Sequence, residues 1–290
     1  MQDYRDLIAT LNRSGKKLSK CHRRITDYIV EHIDKSPSMT TSKLASEVGV
    51  SESTVVRFAT AMGYDGYASM QRTLQELAGH YLTGYQRMEM SAELEDHEVL
   101  GAVLRRDMNN LRMTLDNIDQ DVYDDIVRRI LSAHAIYIMG LRSAAPLAQF
   151  MDFYMNYIFD NVHLVSSGST DVFESISKLH ADDLLIGISF PRYSSRTLDA
   201  MSFAKRCGAQ VVAITDGPMS PLARIADATL TARTDMASFV DSLAAPLSLI
   251  NALLVSLGLQ RKDALSEHFQ QLESVWNTYN VYMEEENGHA

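Results

Sequence analysis

The chain has 290 residues, 46% of them apolar and 22% charged, and carries a formal net charge of −10 at pH 7. This length leaves room for more than one domain, and the composition suits packed cores rather than a disordered or fibrous chain. Two distant cysteines, Cys21 and Cys207, and no apolar run near the ~20 residues that span a bilayer argue against a disulfide-stapled or membrane-spanning protein.

The start, "MQDYRDLIATL", has early acidic residues and lacks the apolar core of a signal peptide, so a reduced, cytoplasmic setting is expected. The charge is unevenly spread. Residues 1–78 hold 11 Lys+Arg against 9 Asp+Glu, which leaves 16 basic and 28 acidic residues in the remainder. A local balance of +2 beside one of −12 suggests two parts with different partners.

Residues 1–78 are predicted to be all-helical. Ile25, Tyr28, Ile29 and Ile33 share one helical stripe. Ser36-Pro37 stops that helix, and "TTSKLASEV" restarts with Thr41 as the expected N-cap. Gly49 closes the second helix, Ser51 caps a third that runs to Gly63, and Tyr67, Met70, Leu74 and Leu77 mark a fourth. Residues 79–98 are polar and acidic and read as a linker. A further amphipathic helix follows, with Leu100, Val103, Leu104, Met108, Leu111 and Leu115 on one face.

The spacing from Thr41 is that of a helix-turn-helix. Ala45 supplies the small side chain where two helices cross, and Gly49 supplies the left-handed turn. Leu44, Val48, Val50, Val55 and Phe58 are expected to fill the core between them. This leaves Thr41, Lys43, Ser51, Ser53, Thr54 and Arg57 as candidate contacts to double-stranded DNA, with the third helix in the major groove. Arg57 has the forked donor geometry to read a guanine edge. Lys16, Lys17, Lys20, Arg23 and Arg24 are additional candidates for phosphate contact.

From about residue 134 short apolar runs alternate with helical stretches: "AIYIMG", "VHLV", "LLIGIS", "QVVAIT" and "ATLTA". Such alternation predicts a five-stranded parallel, flavodoxin-like sheet between two layers of helices, with ligands beyond the carboxyl ends of the strands. With strand order 2-1-3-4-5 the crevice falls between the first and third strands. The loops there carry Gly140, Arg142 and Ser143, then Ser167 within "SSGST", then Ser189, Arg192, Ser194, Ser195 and Thr197 within "SFPRYSSRT". Hydroxyls, arginines and a helix N-terminus together suit a phosphate-bearing polyol. A last helix from about 262 carries Leu265, Phe269, Leu272, Trp276, Tyr279 and Met283 on one stripe that must dock on its own domain or on a second subunit.

On "VSESTVVRFATAMGYDGY" and the Ser189–Thr197 loop, the chain resembles bacterial transcriptional regulators of the RpiR (MurR/RpiR) family over roughly residues 5–260. The resemblance implies a helix-turn-helix domain over 1–78, a linker over 79–98, a SIS (sugar isomerase) domain over 99–261, and a C-terminal helix and tail over 262–290. It also implies a phosphorylated sugar or sugar-acid effector, and a homodimer or homotetramer. SIS loops often read Ser-x-Ser-Gly-x-Thr; here Pro191 takes the second serine's place and Tyr193 stands near the glycine.

The competing reading is a sugar-phosphate isomerase with an accessory helical domain. It needs a positioned base, for which Glu174, His163 and His180 are the candidates. There is no glycine-rich nucleotide fingerprint and no metal-ligand set, so no cofactor and no metal are expected. A helix-turn-helix has no use in such an enzyme, and a non-enzymatic regulator is the expectation.

Overall fold

The computed structural model describes residues 19–32, 35–71, 73–74, 87–88, 96–166 and 171–282. The chain divides into two compact units, Met1–Glu98 and Val99–Ala290.

In the first unit α1 (Lys20–Glu31), α2 (Thr41–Val48) and α3 (Glu52–Ala61) are followed by helical residues 67–71 and 73–74. Ile25, Ile29, Leu44, Val55 and Phe58 are inaccessible to solvent and form the centre of its core. Val50, expected inside, is only half-buried at the rim of that core. Ser19 caps α1, its side chain accepting from the His22 N–H. Thr40, not Thr41, caps α2: its Oγ1 accepts from the Lys43 N–H at 3.2 Å, and Thr41 is the first helical residue. The sequence offers two adjacent threonines, and the one with extended backbone wins because only it can fold its hydroxyl back over the first turn. Gly49 adopts φ 70° and closes α2, with its own N–H on Ser46 O and the Val50 N–H on Ala45 O. Tyr67 donates to Met39 O at 2.8 Å, and burial pushes its phenol up to about 12, so it remains a neutral donor. Helix α3 ends at Ala61, two residues before Gly63, whose φ of 94° belongs to the turn that follows. Ile33, Leu77 and most of the expected linker lie outside the described residues.

In the second unit the order is α4 (Val99–Asp116), α5 (Gln120–Ser132), β1 (Ile136–Gly140), α6 (Ala145–Ile158), β2 (Val162–Val165), α7 (Val172–Ser175), β3 (Leu184–Ile188), α8 (Ser195–Arg206), β4 (Gln210–Thr215), β5 (Ala228–Thr231), α9 (Ala244–Gln260) and α10 (Lys262–Tyr279). All four strand pairings are parallel, in the order β2-β1-β3-β4-β5. The period-2 alternation of each strand feeds two cores. Ile136 and Ile138 face the layer of α5, α6 and α9, whereas Tyr137 and Met139 face that of α7 and α8. Gly187 in β3 has no room for a side chain, because a Cβ there would lie 2.6 Å from Met201 Sδ on α8.

Helix α9 is apolar around much of its circumference and packs into the core, and α10 leaves it at 97°. No single helix among the described residues is long and apolar enough to cross a membrane. The stripe on α10 meets α6 through an aromatic ladder, Tyr157–Phe269 at 5.5 Å and Phe269–Trp276 at 6.5 Å. None of the residues of α10 is fully buried, and Tyr279 is 76% exposed.

Candidate functional sites

Helix α3 is built to show one face. Val55, Phe58 and Ala59 point into the core, so the i, i+3, i+4, i+7 set Ser53, Val56, Arg57 and Thr60 is left outside. At its N-terminus Ser51 Oγ accepts from the Thr54 N–H at 3.3 Å and lies 2.9 Å from Ser53 Oγ and 2.8 Å from Thr54 Oγ1. Arg57 lies back along the helix, its Nε donating to Ser53 O at 3.2 Å and its Nη2 lying 3.5 Å from Thr54 Oγ1. These are weak exposed contacts that a base edge can replace. The structure thus brings Ser51, Ser53, Thr54 and Arg57 together over the N-cap and first two turns of α3. Lys43 is exposed on the first turn of α2, and Thr41 is half-buried there.

Val56 and Thr60 were missed by the sequence reading. Val56 is 42% exposed, a β-branched methyl pair on a surface otherwise polar, suited to a thymine methyl. The helical phase set by Val55 and Phe58 is the signal that locates both. Arg24, a candidate phosphate contact, donates from its guanidinium to Val48 O at the C-terminal end of α2. Lys16 and Lys17 lie outside the described residues.

The second site lies beyond the carboxyl ends of β1, β3 and β4. Gly140, the last residue of β1, is required by close approach rather than by a turn. A Cβ there would sit 2.6 Å from Ala144 O and 3.0 Å from Ala148 Cβ. Arg142 follows with φ 57°, and Arg142 and Ser143 are both exposed.

After β3, the Ser189 side chain is buried and its Oγ accepts from the Ser194 N–H at 3.2 Å, folding the loop back on itself. Ser194 caps α8, accepting from the Thr197 N–H at 3.4 Å, and Ser195 is exposed in the first turn. The first N–H groups of α8 have no acceptor one turn earlier and face out of the helix end. Thr197 is wholly buried, yet its Oγ1 has no hydrogen-bond partner among the described residues. Leaving such a hydroxyl unpaired costs about 1–3 kcal/mol.

The left-handed position of this loop is Arg192, at φ 66°, not Tyr193. Tyr193 instead donates to Asp216 Oδ1 at 2.7 Å, and Thr215 Oγ1 donates to the same oxygen at 3.1 Å. The phenol therefore ties the β3 loop to the end of β4. Arg142 and Arg192 make no ion pair among the described residues. Arg196 is used elsewhere, 3.6 Å from Asp171 and over the Phe173 ring. Ser167 lies outside the described residues.

Of the candidate bases only Glu174 lies on the crevice side, in the first turn of α7, whose cap Asp171 is 3.6 Å from Arg196 on α8. Glu174 closes a capping box on α7, accepting from the Asp171 N–H at 3.4 Å. His163 lies on β2 against Tyr137, and His180 lies before β3, toward the opposite end of the sheet.

Comparison with known proteins gives two family matches. Residues 5–79 match the helix-turn-helix domain of the rpiR family, and residues 129–256 match the SIS domain. The chain is similar to an uncharacterised helix-turn-helix-type transcriptional regulator of Clostridium perfringens, 24% identical over 227 residues, spanning 78% of this chain and 81% of that one. It is also similar to YbbH of Bacillus subtilis, described in the same words, 22% identical over 277 residues, or 91% and 94% of the two chains. Among solved structures, the sugar isomerase domain of an RpiR transcription factor from Sphaerobacter thermophilus superposes with TM-score 0.59 at 25% identity, over 61% of this chain and 99% of that one. NanR of Vibrio vulnificus, solved with ManNAc-6P, superposes with TM-score 0.58 at 21% identity, over 93% and 98%.

Proposed function

Because the chain belongs to the RpiR family, with that family's helix-turn-helix unit followed by a SIS domain, we propose that it is a cytoplasmic transcriptional regulator that reads an operator with α3 and binds a phosphorylated sugar or sugar acid beyond β3. The observation that carries the effector half is Thr197: a buried hydroxyl with no partner among the described residues, one turn into a helix whose N-terminus is ringed by Ser189, Ser194 and Ser195. A phosphate or carboxylate oxygen seated at that helix start gains its exposed N–H groups, and gains the orphaned hydroxyl as well once the loop shifts enough to uncover it. Arg142 and Arg192, in no ion pair among the described residues, add charge complementarity at the mouth.

Two copies related by a twofold axis place two α3 helices on half-sites about 34 Å apart, or a multiple of it. Effector shifts the population between two placements of these heads, to the extent that it binds the two unequally. Sensing rather than turnover is supported by the helix-turn-helix unit, for which an isomerase has no use, and by relatives named as transcriptional regulators.

The test is a thermal-shift series on the full chain with sugar phosphates and sugar acids, starting with ManNAc-6P, the ligand that the NanR structure holds. A binding compound raises Tm by mass action on the native state. Ser189→Ala with Ser194→Ala removes that rise and leaves operator binding by the ligand-free chain intact. NMR of the incubated compound shows no isomerised product; turnover would restore the isomerase reading.

A further inference from the structure

We propose that His134, His180 and Asp183 form a binding site for one divalent transition-metal ion of the zinc type, at the amino-terminal end of the sheet. The site is far from the hydroxyl crevice in topology: His134 stands two residues before β1 and Asp183 immediately before β3, whereas the crevice lies past the other ends of the same strands.

Asp183 is fully inaccessible at its side chain, and both carboxylate oxygens face imidazoles. Oδ1 lies 3.2 Å from His134 Nδ1, and Oδ2 lies 2.8 Å from His180 Nδ1. No lysine or arginine pairs with this carboxylate among the described residues. One nitrogen from each histidine and one carboxylate oxygen all lie within 4.8 Å of one another. Donor atoms bound at ~2.0–2.2 Å around a tetrahedral zinc stand roughly 3.3–3.6 Å apart. The His134 Nδ1–Oδ1 spacing is within a few tenths of an ångström of that, and the His180 Nδ1 spacing, to the other carboxylate oxygen, is about half an ångström short of it. Rotation of two exposed rings, 65% and 63% accessible, supplies the remaining closure.

The backbone that carries the three groups is held in place from several sides. The His134 N–H donates to Asp182 O at 2.9 Å, and Asn161 Nδ2 donates to His134 O at 3.1 Å. The Leu184 N–H donates to Ala135 O, and the His180 N–H donates to Asp183 Oδ2, each at 2.9 Å. Such outer contacts fix ligand orientation before an ion arrives. Without an ion, each imidazole satisfies the carboxylate by donating Nδ1–H. Binding moves that proton to Nε2, which on an exposed ring donates to water, so the tautomer change leaves no group unpaired. Two imidazoles and one carboxylate select Zn2+ over Mg2+ or Ca2+, which prefer all-oxygen shells. Water completes the fourth position on the exposed side.

The test uses the full chain after treatment with a chelator. Zinc is titrated against a chromophoric competitor, and Co2+ serves as a spectroscopic stand-in that absorbs visibly in a tetrahedral N/O site. One equivalent is expected to bind, with a Tm rise that Mg2+ and Ca2+ do not reproduce. His134→Asn and His180→Asn change exposed side chains only, and each is expected to weaken zinc at least tenfold. The double variant loses the Co2+ absorption and the Tm rise, while His163→Asn retains both. Zinc affinity unchanged in the folded double variant, or no zinc bound by the unaltered chain, overturns the proposal. Both readouts are independent of effector and operator, so the site stands or falls apart from the regulator reading.

Discussion

A hydroxyl buried without a partner is worth more to a ligand than to the fold. Thr197→Val keeps the shape and removes the orphaned oxygen, so the ligand-free protein is expected to hold or gain stability, by up to about 1 kcal/mol. Effector affinity falls at the same time by about tenfold or more, the worth of one hydrogen bond to a charged group. Calorimetry and ligand titration on the same variant check the two directions. On α3, Arg57→Ala is expected to cost about 1–3 kcal/mol of operator affinity and to relax preference at one base pair, with Tm unchanged because the side chain is exposed. Gel-shift titrations on single-base operator variants decide it.

At this scale the sequence was readable where residue type dictates role, as at Gly49 or Ser51. It was not readable where the backbone decides. Nothing in "FPRYSS" marks Arg192 rather than Tyr193 as the left-handed residue, and nothing in "TT" separates Thr40 from Thr41. The His134–His180–Asp183 cluster was invisible for another reason: the β1–β3 pairing brings His134 to the His180–Asp183 pair from 49 residues before Asp183.

Elements were the most legible level. Five apolar runs became five strands in the expected order, because a parallel sheet covered on both faces leaves no polar alternation to confuse the reading. Ends moved by one or two residues, as for α3, since fraying and caps depend on hydrogen bonds that composition does not display. One clasp between elements has a pH signature. Burial raises the pKa of Asp227, but hydrogen bonds from Lys205 Nζ and the Val211 N–H more than offset it and hold the carboxyl below its usual value. A carboxylate with a depressed folded pKa stabilises the native state above its unfolded pKa of about 3.9, and this contribution fades as pH falls toward the folded value. Asp227→Asn is therefore expected to lower Tm at pH 7 and to shrink the loss of Tm between pH 5 and the acid limit, as thermal melts across that range will show.

At the scale of the molecule, the charge division and the exposed apolar faces argue for assembly on DNA. Leu100, Leu104, Met108, Leu111 and Leu115 run along one side of α4 and are all exposed, with Leu100 at 73% and Leu115 at 74%. In the proposed dimer this stripe is the surface for a second subunit to cover. Leu104→Glu with Leu111→Glu is expected to shift the sedimenting species to the monomer. Operator affinity then falls by 10²-fold or more, because two linked half-site contacts become one. An unchanged mass in ultracentrifugation would remove α4 from the interface.

Arg192 has a further consequence. A side-chain-bearing residue at φ 66°, preceded by a proline and followed by a phenol anchored on Asp216, is a hinge already set before any metabolite arrives. Arresting a loop of this length during capture would otherwise consume a kilocalorie or more per residue in lost freedom. With that expense met during folding, the backbone of the proposed cradle needs little ordering around its guest. Whatever rearrangement tells the DNA-reading heads that the guest has come must then arise in parts of the chain other than the cradle itself.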